Sequence, residues 1–152
     1  MNGNQETARN PLDVRIILAV LWVAGMLSSL NGDTYRLSDP VALQSLLANT
    51  GPIVASSGLL SVMSILLVGH IFMSALTLTL KPPVSRWANR VIGVFYAVIV
   101  LVFWVLVFVL GSPTGYAIVW ATAQLVFALL VVWYAWKWIS PDYGKQQAQP
   151  GH

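Results

Sequence analysis

Two polar residues, His70 and Gln124, interrupt long apolar stretches and are the first candidates for chemistry in this sequence. An imidazole exchanges a proton near neutral pH, so His70 is a candidate for a proton relay. A relay also requires partner groups, and no carboxylate lies deep in any apolar stretch. The favoured interpretation is therefore a structural histidine that donates to a serine or a backbone carbonyl. Helical rise places Gln124 about 12 Å and His70 about 21 Å below the outer ends of their segments, so we expect no direct contact.

A second polar group, formed by Asp33, Tyr35 and Arg36, follows the first apolar stretch. An exposed pair of aspartate and arginine contributes little to stability. The cluster is therefore either a small polar site or a contact that holds the loop in place.

A third group is basic. Arg86 and Arg90 stand four residues apart in the first turns of the third apolar stretch, on one face of a helix whose predicted N-cap is Ser85. The positive end of the helix dipole disfavours cations there, so helix stability does not explain the two arginines. They either set the membrane orientation or bind an anion such as a phospholipid headgroup. The headgroup site would consist of Arg86, Trp87, Asn89 and Arg90.

The other reactive residue types argue against cofactors, metals and catalysis. The sequence has no cysteine, and its second histidine is His152, so thiolate sites and a haem held by two histidines are excluded. No histidine and carboxylate cluster has metal-ligand spacing. An enzyme needs acid, base or nucleophilic groups that converge in a pocket, and too few are present. We therefore expect no catalytic, cofactor-binding or metal-binding residues.

These candidate residues must be positioned by a fold that is not water-soluble. Of the 152 residues, 57% are hydrophobic and only 9% are charged, whereas a soluble domain carries about 25% charged residues. Such a chain cannot cover a surface that faces water. The net charge of +3 comes from single basic residues scattered between uncharged runs, so nucleic-acid binding is not expected.

Four apolar stretches are long enough to cross a hydrocarbon core of about 30 Å as helices. They are apolar on every side, whereas the strands of a membrane barrel alternate. The sequence therefore predicts one all-α domain, a transmembrane antiparallel four-helix bundle. The predicted spans are residues 12–30, 56–80, 91–110 and 116–136, with flexible tails at about 1–10 and 140–152.

The distribution of basic residues predicts the orientation of this bundle. With four spans, seven of the 8 Lys and Arg residues fall on the side that carries both termini, and Arg36 alone falls on the other. Positive charge is held on the cytoplasmic side, so both termini are predicted to be cytoplasmic. Residues 16–27 resemble a secretory core, but the residues after them, Ser28-Ser29-Leu30-Asn31-Gly32, offer no A-x-A cleavage site, so we expect the first span to stay.

The first outer connection contains a helix signal. Asp39 is a suitable N-cap, and Pro40 follows at the first helical position. Leu43, Leu46 and Leu47 recur at helical spacing. The sequence predicts a short amphipathic helix here, which either lies on the outer membrane surface or covers the top of the bundle.

The second connection and the start of the third span contain the motif Lys81-Pro82-x-x-x-Arg86-Trp87-x-Asn89-x-x-x-Gly93-x-x-Tyr96. With this motif the chain resembles a family of small bacterial four-span membrane proteins whose domain has no known function. The likeness extends to Leu12-Asp13-Val14 with Trp22, to Gly32-Asp33 with Tyr35-Arg36-Leu37, and to residues 133–138. It implies a multi-pass protein of the bacterial inner membrane and no particular activity. Relatives of this kind often carry glutamate near the position of Gln124.

Together these patterns favour a non-enzymatic membrane component that binds lipid, such as an anionic phospholipid, or another membrane protein or a second copy of itself. The alternative is a small oligomeric transporter or proton-linked channel that uses His70. A third hypothesis, a lipid-modifying enzyme, would depend on Asp33, Tyr35 and Arg36 or on the basic group.

Overall fold

The computed structural model describes residues 11–50, 56–110 and 114–138, which form five helices and no strand. Four of these helices are long and apolar enough to cross a membrane. The protein is therefore a multi-pass membrane protein, and the predicted all-α fold is confirmed. The predicted tails at 1–10 and 140–152 lie outside the described residues. The helices are α1 (Pro11–Ser38), α2 (Pro40–Leu47), α3 (Ser57–Thr79), α4 (Pro82–Leu110) and α5 (Gly115–Lys137).

The four long helices form an antiparallel bundle. α1 packs against α3 and α5, and α4 packs against the same two helices. Arg15 near the start of α1 contacts Leu80 just beyond the end of α3, and Arg90 near the start of α4 contacts Trp136 near the end of α5. We call this end of the bundle the basic end and the opposite one, where α2 lies, the α2 end.

The first span is longer than the sequence predicts. α1 continues to Ser38 instead of ending near Leu30. The hydroxyl groups of Thr34 and Ser38 each donate to the carbonyl four residues earlier, at 2.9 Å, and Tyr35 stacks on rings of α5. The polar cluster of residues 33–36 therefore lies on a helix and not in a loop.

The third span starts earlier than the predicted Val91. α4 begins at Pro82, because proline is compatible with the first helical position, where no amide hydrogen is needed. The predicted N-cap role of Ser85 is wrong. Ser85 lies inside the helix, where its amide donates to the carbonyl of Lys81 at 2.9 Å and its hydroxyl donates to the carbonyl of Thr77 at 3.0 Å.

The short helix α2 begins at the cap that the sequence indicates. Oδ1 of Asp39 accepts hydrogen bonds from the amides of Val41 and Ala42, at 3.0 and 3.4 Å. The helix ends before Asn49, which adopts a positive φ of 52°. None of its residues is buried. Its position on a membrane surface stays a prediction.

The apolar core lies in the half of the bundle nearer to the basic end. Its buried residues come from α1, α3, α4 and α5, together with Trp138. Trp138 is only 3% exposed, whereas Trp87, Trp133 and Trp136 are exposed. The core consists of Val14, Leu18, Trp22, Met73, Tyr96, Val131, Ala135 and Trp138.

Candidate functional site between the helices

A cavity of about 520 Å³ lies between the long helices in the half of the bundle nearer to α2. Ligand sites commonly occupy about 300–1,000 Å³. Each of the five helices contributes at least one lining residue. Most of the lining is apolar, including Leu59, Met63, Leu66, Leu67, Ile99 and Phe103.

The charged end of the cavity is the end nearer to α2. Asp33 and Arg36 line it and are the only charged side chains in the lining among the described residues. Tyr35, the third member of the predicted cluster, belongs to a different contact. Its ring stacks 5.9 Å from that of Trp120 and 6.3 Å from that of Tyr116, measured between centroids. The structure therefore separates Tyr35 from the other two.

The deep end of the cavity carries uncharged polar groups. His70, Tyr96 and Gln124 line this end, and with Val100 they also line a second void of about 10 Å³. A volume of about 10–15 Å³ for the centre of a water-sized probe is enough for one water molecule. His70 and Gln124, which the sequence placed at different depths, therefore face one small space. No hydrogen bond joins these two described residues.

The orientation of His70 is set by its own helix. Nδ1 lies 2.9 Å from the carbonyl oxygen of Leu66. A carbonyl only accepts, so Nδ1 carries the hydrogen and the neutral ring presents Nε2 as an acceptor. Nε2 faces α1, where a Cβ atom on Gly25 would lie 3.5 Å away. No described residue forms a hydrogen bond with Nε2 or with the side-chain amide of Gln124.

Three rings close the deep end of the cavity. The rings of Trp22, His70 and Tyr96 pack edge to face, with centroids 4.5 to 5.4 Å apart. The hydroxyl of Tyr96 donates to the carbonyl of Leu66 at 2.5 Å. A Cβ atom on Gly69 would overlap this hydroxyl, so the close approach of α3 and α4 depends on a glycine there.

Below these rings lies a buried polar network of Trp22, Thr77, Ser85 and Asn89. Oδ1 of Asn89 accepts from Nε1 of Trp22 at 2.8 Å, and Nδ2 of Asn89 donates to Oγ1 of Thr77 at 2.9 Å and to the carbonyl of Ser85 at 2.8 Å. The hydroxyl of Thr77 donates to the carbonyl of Met73 at 2.6 Å. Asn89 is 0% exposed. It therefore belongs to the interior and not to a lipid-facing headgroup site.

Two arginines cover the carbonyl groups at the ends of neighbouring helices. Arg15 donates to the carbonyls of Thr77 and Leu80 at 2.8 and 2.7 Å, and also to that of Leu78. Arg90 donates to the carbonyls of Ala135 and Trp136, at 2.9 and 3.2 Å. The last carbonyls of a helix have no partner within the helix, and its C-terminal end attracts cations. Both arginines therefore act as interhelical caps.

This arrangement corrects the expectation that helix stability does not explain Arg90. The guanidinium group stabilises the end of α5, a helix other than its own. Arg86 makes no such bond among the described residues, and its Nε atom is buried without a partner. Trp87 is 62% exposed. Of the four residues predicted to hold a headgroup, Asn89 and Arg90 form hydrogen bonds to neighbouring helices, whereas Arg86 and Trp87 form none among the described residues.

Sequence reasoning did not identify Arg15, Thr77 and Ser85 as members of one assembly. A usable signal was present, because a carboxamide such as Asn89 inside an apolar helix needs a hydrogen-bond partner. Two of the partners of Asn89, Trp22 and Thr77, come from other helices, and their identity depends on helix rotation. The local sequence does not contain that information.

No family model, curated protein or solved structure matches the chain.

Proposed function

We propose that the protein is a non-enzymatic component of the bacterial inner membrane that binds a lipid-like ligand in the cavity between its helices. The observation that carries the proposal is the cavity of about 520 Å³ with an apolar lining, a charged end and an uncharged polar end. Lipids and other amphiphiles have the same division between an apolar chain and a polar group.

The test of this proposal is retention of a ligand by the intact protein. Ala121 lines the cavity, so the substitution Ala121→Phe would fill part of it. Ala75 is exposed on α3 and does not line it, which makes Ala75→Phe the matched control. Native mass spectrometry of gently extracted protein should show a bound amphiphile in wild type and Ala75→Phe and much less in Ala121→Phe. Equal retention in both variants would contradict the proposal.

Cytoplasmic termini are part of the proposal. Its support is the clustering of Arg15, Lys81, Arg86, Arg90 and Lys137 near the basic end, together with the positive-inside rule. A reporter that works only in the periplasm should be active after Gly115 and silent after Pro83. The reverse pattern would overturn the orientation.

An anionic phospholipid is proposed as a partner at the basic end, with Arg86 and Trp87 as its contacts. The support is the Nε atom of Arg86, which has no hydrogen-bond partner, and the exposed indole ring of the next residue, Trp87. Because Arg90 caps α5, the informative variant is Arg86→Gln alone. It should lower the amount of co-purified anionic lipid while the melting temperature stays unchanged. Unchanged lipid would leave Arg86 as an orientation signal.

A second candidate function is a small oligomeric, proton-linked transporter or channel that uses His70. The observation that favours it is that the cavity connects the charged pair near α2 with His70. In that case His70→Ala should abolish a proton-linked flux in proteoliposomes without lowering the folded yield. Loss of folded protein would instead assign His70 a structural role.

A further inference from the structure

We propose that the deep end of the cavity binds the hydroxyl group of a neutral, long-chain amphiphile, through His70 and Gln124. The inference rests on the proposed ligand-binding function and adds the chemical class of the ligand and its direction. The hydroxyl would enter the void of about 10 Å³, and the hydrocarbon chain would extend along the apolar lining toward α2.

The polar group of the ligand should be neutral because no charged side chain lies at the deep end among the described lining residues. The nearest charged residue along α1 is Asp33, eight residues from Gly25, which corresponds to about 12 Å of helix. An anionic group would meet the lone pair of His70 Nε2 without a cation to balance it. A cationic group would be buried without a carboxylate, which is costly in an apolar setting.

The void offers one acceptor and one amide to its occupant. Nε2 of neutral His70 accepts because Nδ1 already donates to Leu66. The side-chain amide of Gln124 supplies both donor and acceptor atoms. A hydroxyl group both donates and accepts, so it can satisfy His70 and Gln124 at once. The volume suits a single oxygen atom with its hydrogen, about the size of one water molecule.

The hydrocarbon chain has a matching surface above the void. Leu66, Leu67 and Met63 of α3 and Ile99 and Phe103 of α4 line the cavity between the polar end and α2. Burial of a chain against such side chains is favourable by about 25 cal/mol per Å². Hydrogen bonds between α3 and α4 are found only below this region, from Leu66 to the basic end, among the described residues. A chain therefore has room between these helices.

The experiment compares three probes that share one chain: dodecanol, dodecyl methyl ether and dodecanoic acid. The full-length protein in phosphatidylcholine nanodiscs is photolabelled with a diazirine derivative of dodecanol, and each probe competes for the label. Empty nanodiscs correct for partition into the bilayer. Dodecanol should compete about fivefold better than the methyl ether, which cannot donate a hydrogen bond, and better than the acid.

Gly25→Ala is the decisive variant. Its Cβ atom would sit 3.5 Å from Nε2 and Cδ2 of His70 and 3.9 Å from Phe127, so it would fill the void in ordinary van der Waals contact. The advantage of dodecanol over its ether should disappear in Gly25→Ala and in His70→Leu. His70→Gln, which keeps an acceptor, should restore part of it. Melting temperatures show whether each variant is folded.

The outcomes separate this inference from the proposed function. Equal competition by dodecanol and its ether would overturn the hydroxyl site, and a water molecule would then be the occupant of the void. If Ala121→Phe still blocked labelling in that case, the proposed ligand binding in the cavity would stand. Strong competition by dodecanoic acid alone would overturn the neutral class. No labelling above that of empty nanodiscs in wild-type protein would overturn both.

Discussion

Nε1 of Trp22 donates a hydrogen bond of 2.8 Å to Oδ1 of Asn89, and this bond links α1 to α4 inside the bundle. The two helices are not among the main packing pairs, which involve α3 and α5. The polar network thus joins helices across the bundle, next to the buried Trp22 of the apolar core. The hydrogen bond to Asn89 also fixes the ring of Trp22, which packs edge to face against His70.

Asn89→Leu is expected to destabilise the protein because it leaves the indole nitrogen of Trp22 and the hydroxyl oxygen of Thr77 without their partner. We expect the free energy of unfolding to fall by about 2 kcal/mol, since interhelical hydrogen bonds in membranes are each worth about 0.6–2 kcal/mol. Steric trapping in mixed micelles measures this quantity. Asn31→Leu, at an exposed position of α1, is the control and should change little. Equal losses in the two variants would show that the network adds no stability.

Arg15→Gln should weaken the contact of α1 with the end of α3. Replacing three charge-assisted bonds to carbonyl groups should cost about 1–2 kcal/mol of unfolding free energy. Arg15→Lys should lower the unfolding free energy by less than Arg15→Gln, because an ammonium group keeps the charge but cannot match the spread of the guanidinium donors. The comparison is with Arg36→Gln, a substitution of an exposed arginine near the α2 end. A loss in Arg36→Gln as large as in Arg15→Gln would argue for a general effect of charge.

Gly69→Ala should destabilise the protein, since the added methyl group would overlap the hydroxyl of Tyr96. Overpacking of this kind costs about 1–3 kcal/mol. The double variant with Tyr96→Phe should recover part of the loss because the overlapping oxygen is gone. Gly58→Ala, where the new Cβ would lie 4.0 Å from the hydroxyl oxygen of Ser56, serves as the control. Thermal unfolding in detergent measures wild type, the single variants and the double variant, and a loss in the double variant equal to the sum of the losses in Gly69→Ala and Tyr96→Phe would contradict the overlap.

Asp39 should make stability depend on pH in the acidic range. A hydrogen bond of 3.0 Å from the hydroxyl of Tyr116 is the main reason why the pKa of Asp39 is held below its ordinary value, and the amides of α2 add to it. Because the pKa of Asp39 is lower in the folded than in the unfolded protein, its carboxylate stabilises the fold at pH values above the unfolded-state pKa of about 3.9. This stabilisation is lost as the pH falls through the folded-state pKa.

The measurement is the difference in unfolding temperature between wild type and Asp39→Asn across the acidic range. It should be constant above about pH 5 and shrink below about pH 4. Tyr116→Phe should reduce the size of the change, because the largest contribution to the lowered pKa is gone. A difference that is independent of pH in the wild-type background would contradict the assignment.

The parts of the fold that depend on local chemistry were predictable from the sequence. The spans follow from the length of apolar runs, and the start of α2 follows from Asp39 and Pro40. Helix ends were less predictable. The sequence predicted that the first span ends near Leu30, but α1 continues to Ser38, and Tyr35 in this extension stacks on Trp120 of α5. The hydroxyl of Ser85 similarly serves a contact with Thr77 instead of a cap.

The sequence indicated the polar residues of the candidate site but not their grouping in one cavity. His70, Gln124, Asp33 and Arg36 stood out by residue type, because each is polar in or near an apolar run. Their grouping in one cavity depends on how α1, α3 and α5 are rotated. In a water-soluble helix the polar face reveals that rotation, but a membrane helix is apolar on all sides, since lipid is as apolar as the protein interior. Only the packing of the helices therefore decided which polar residues meet.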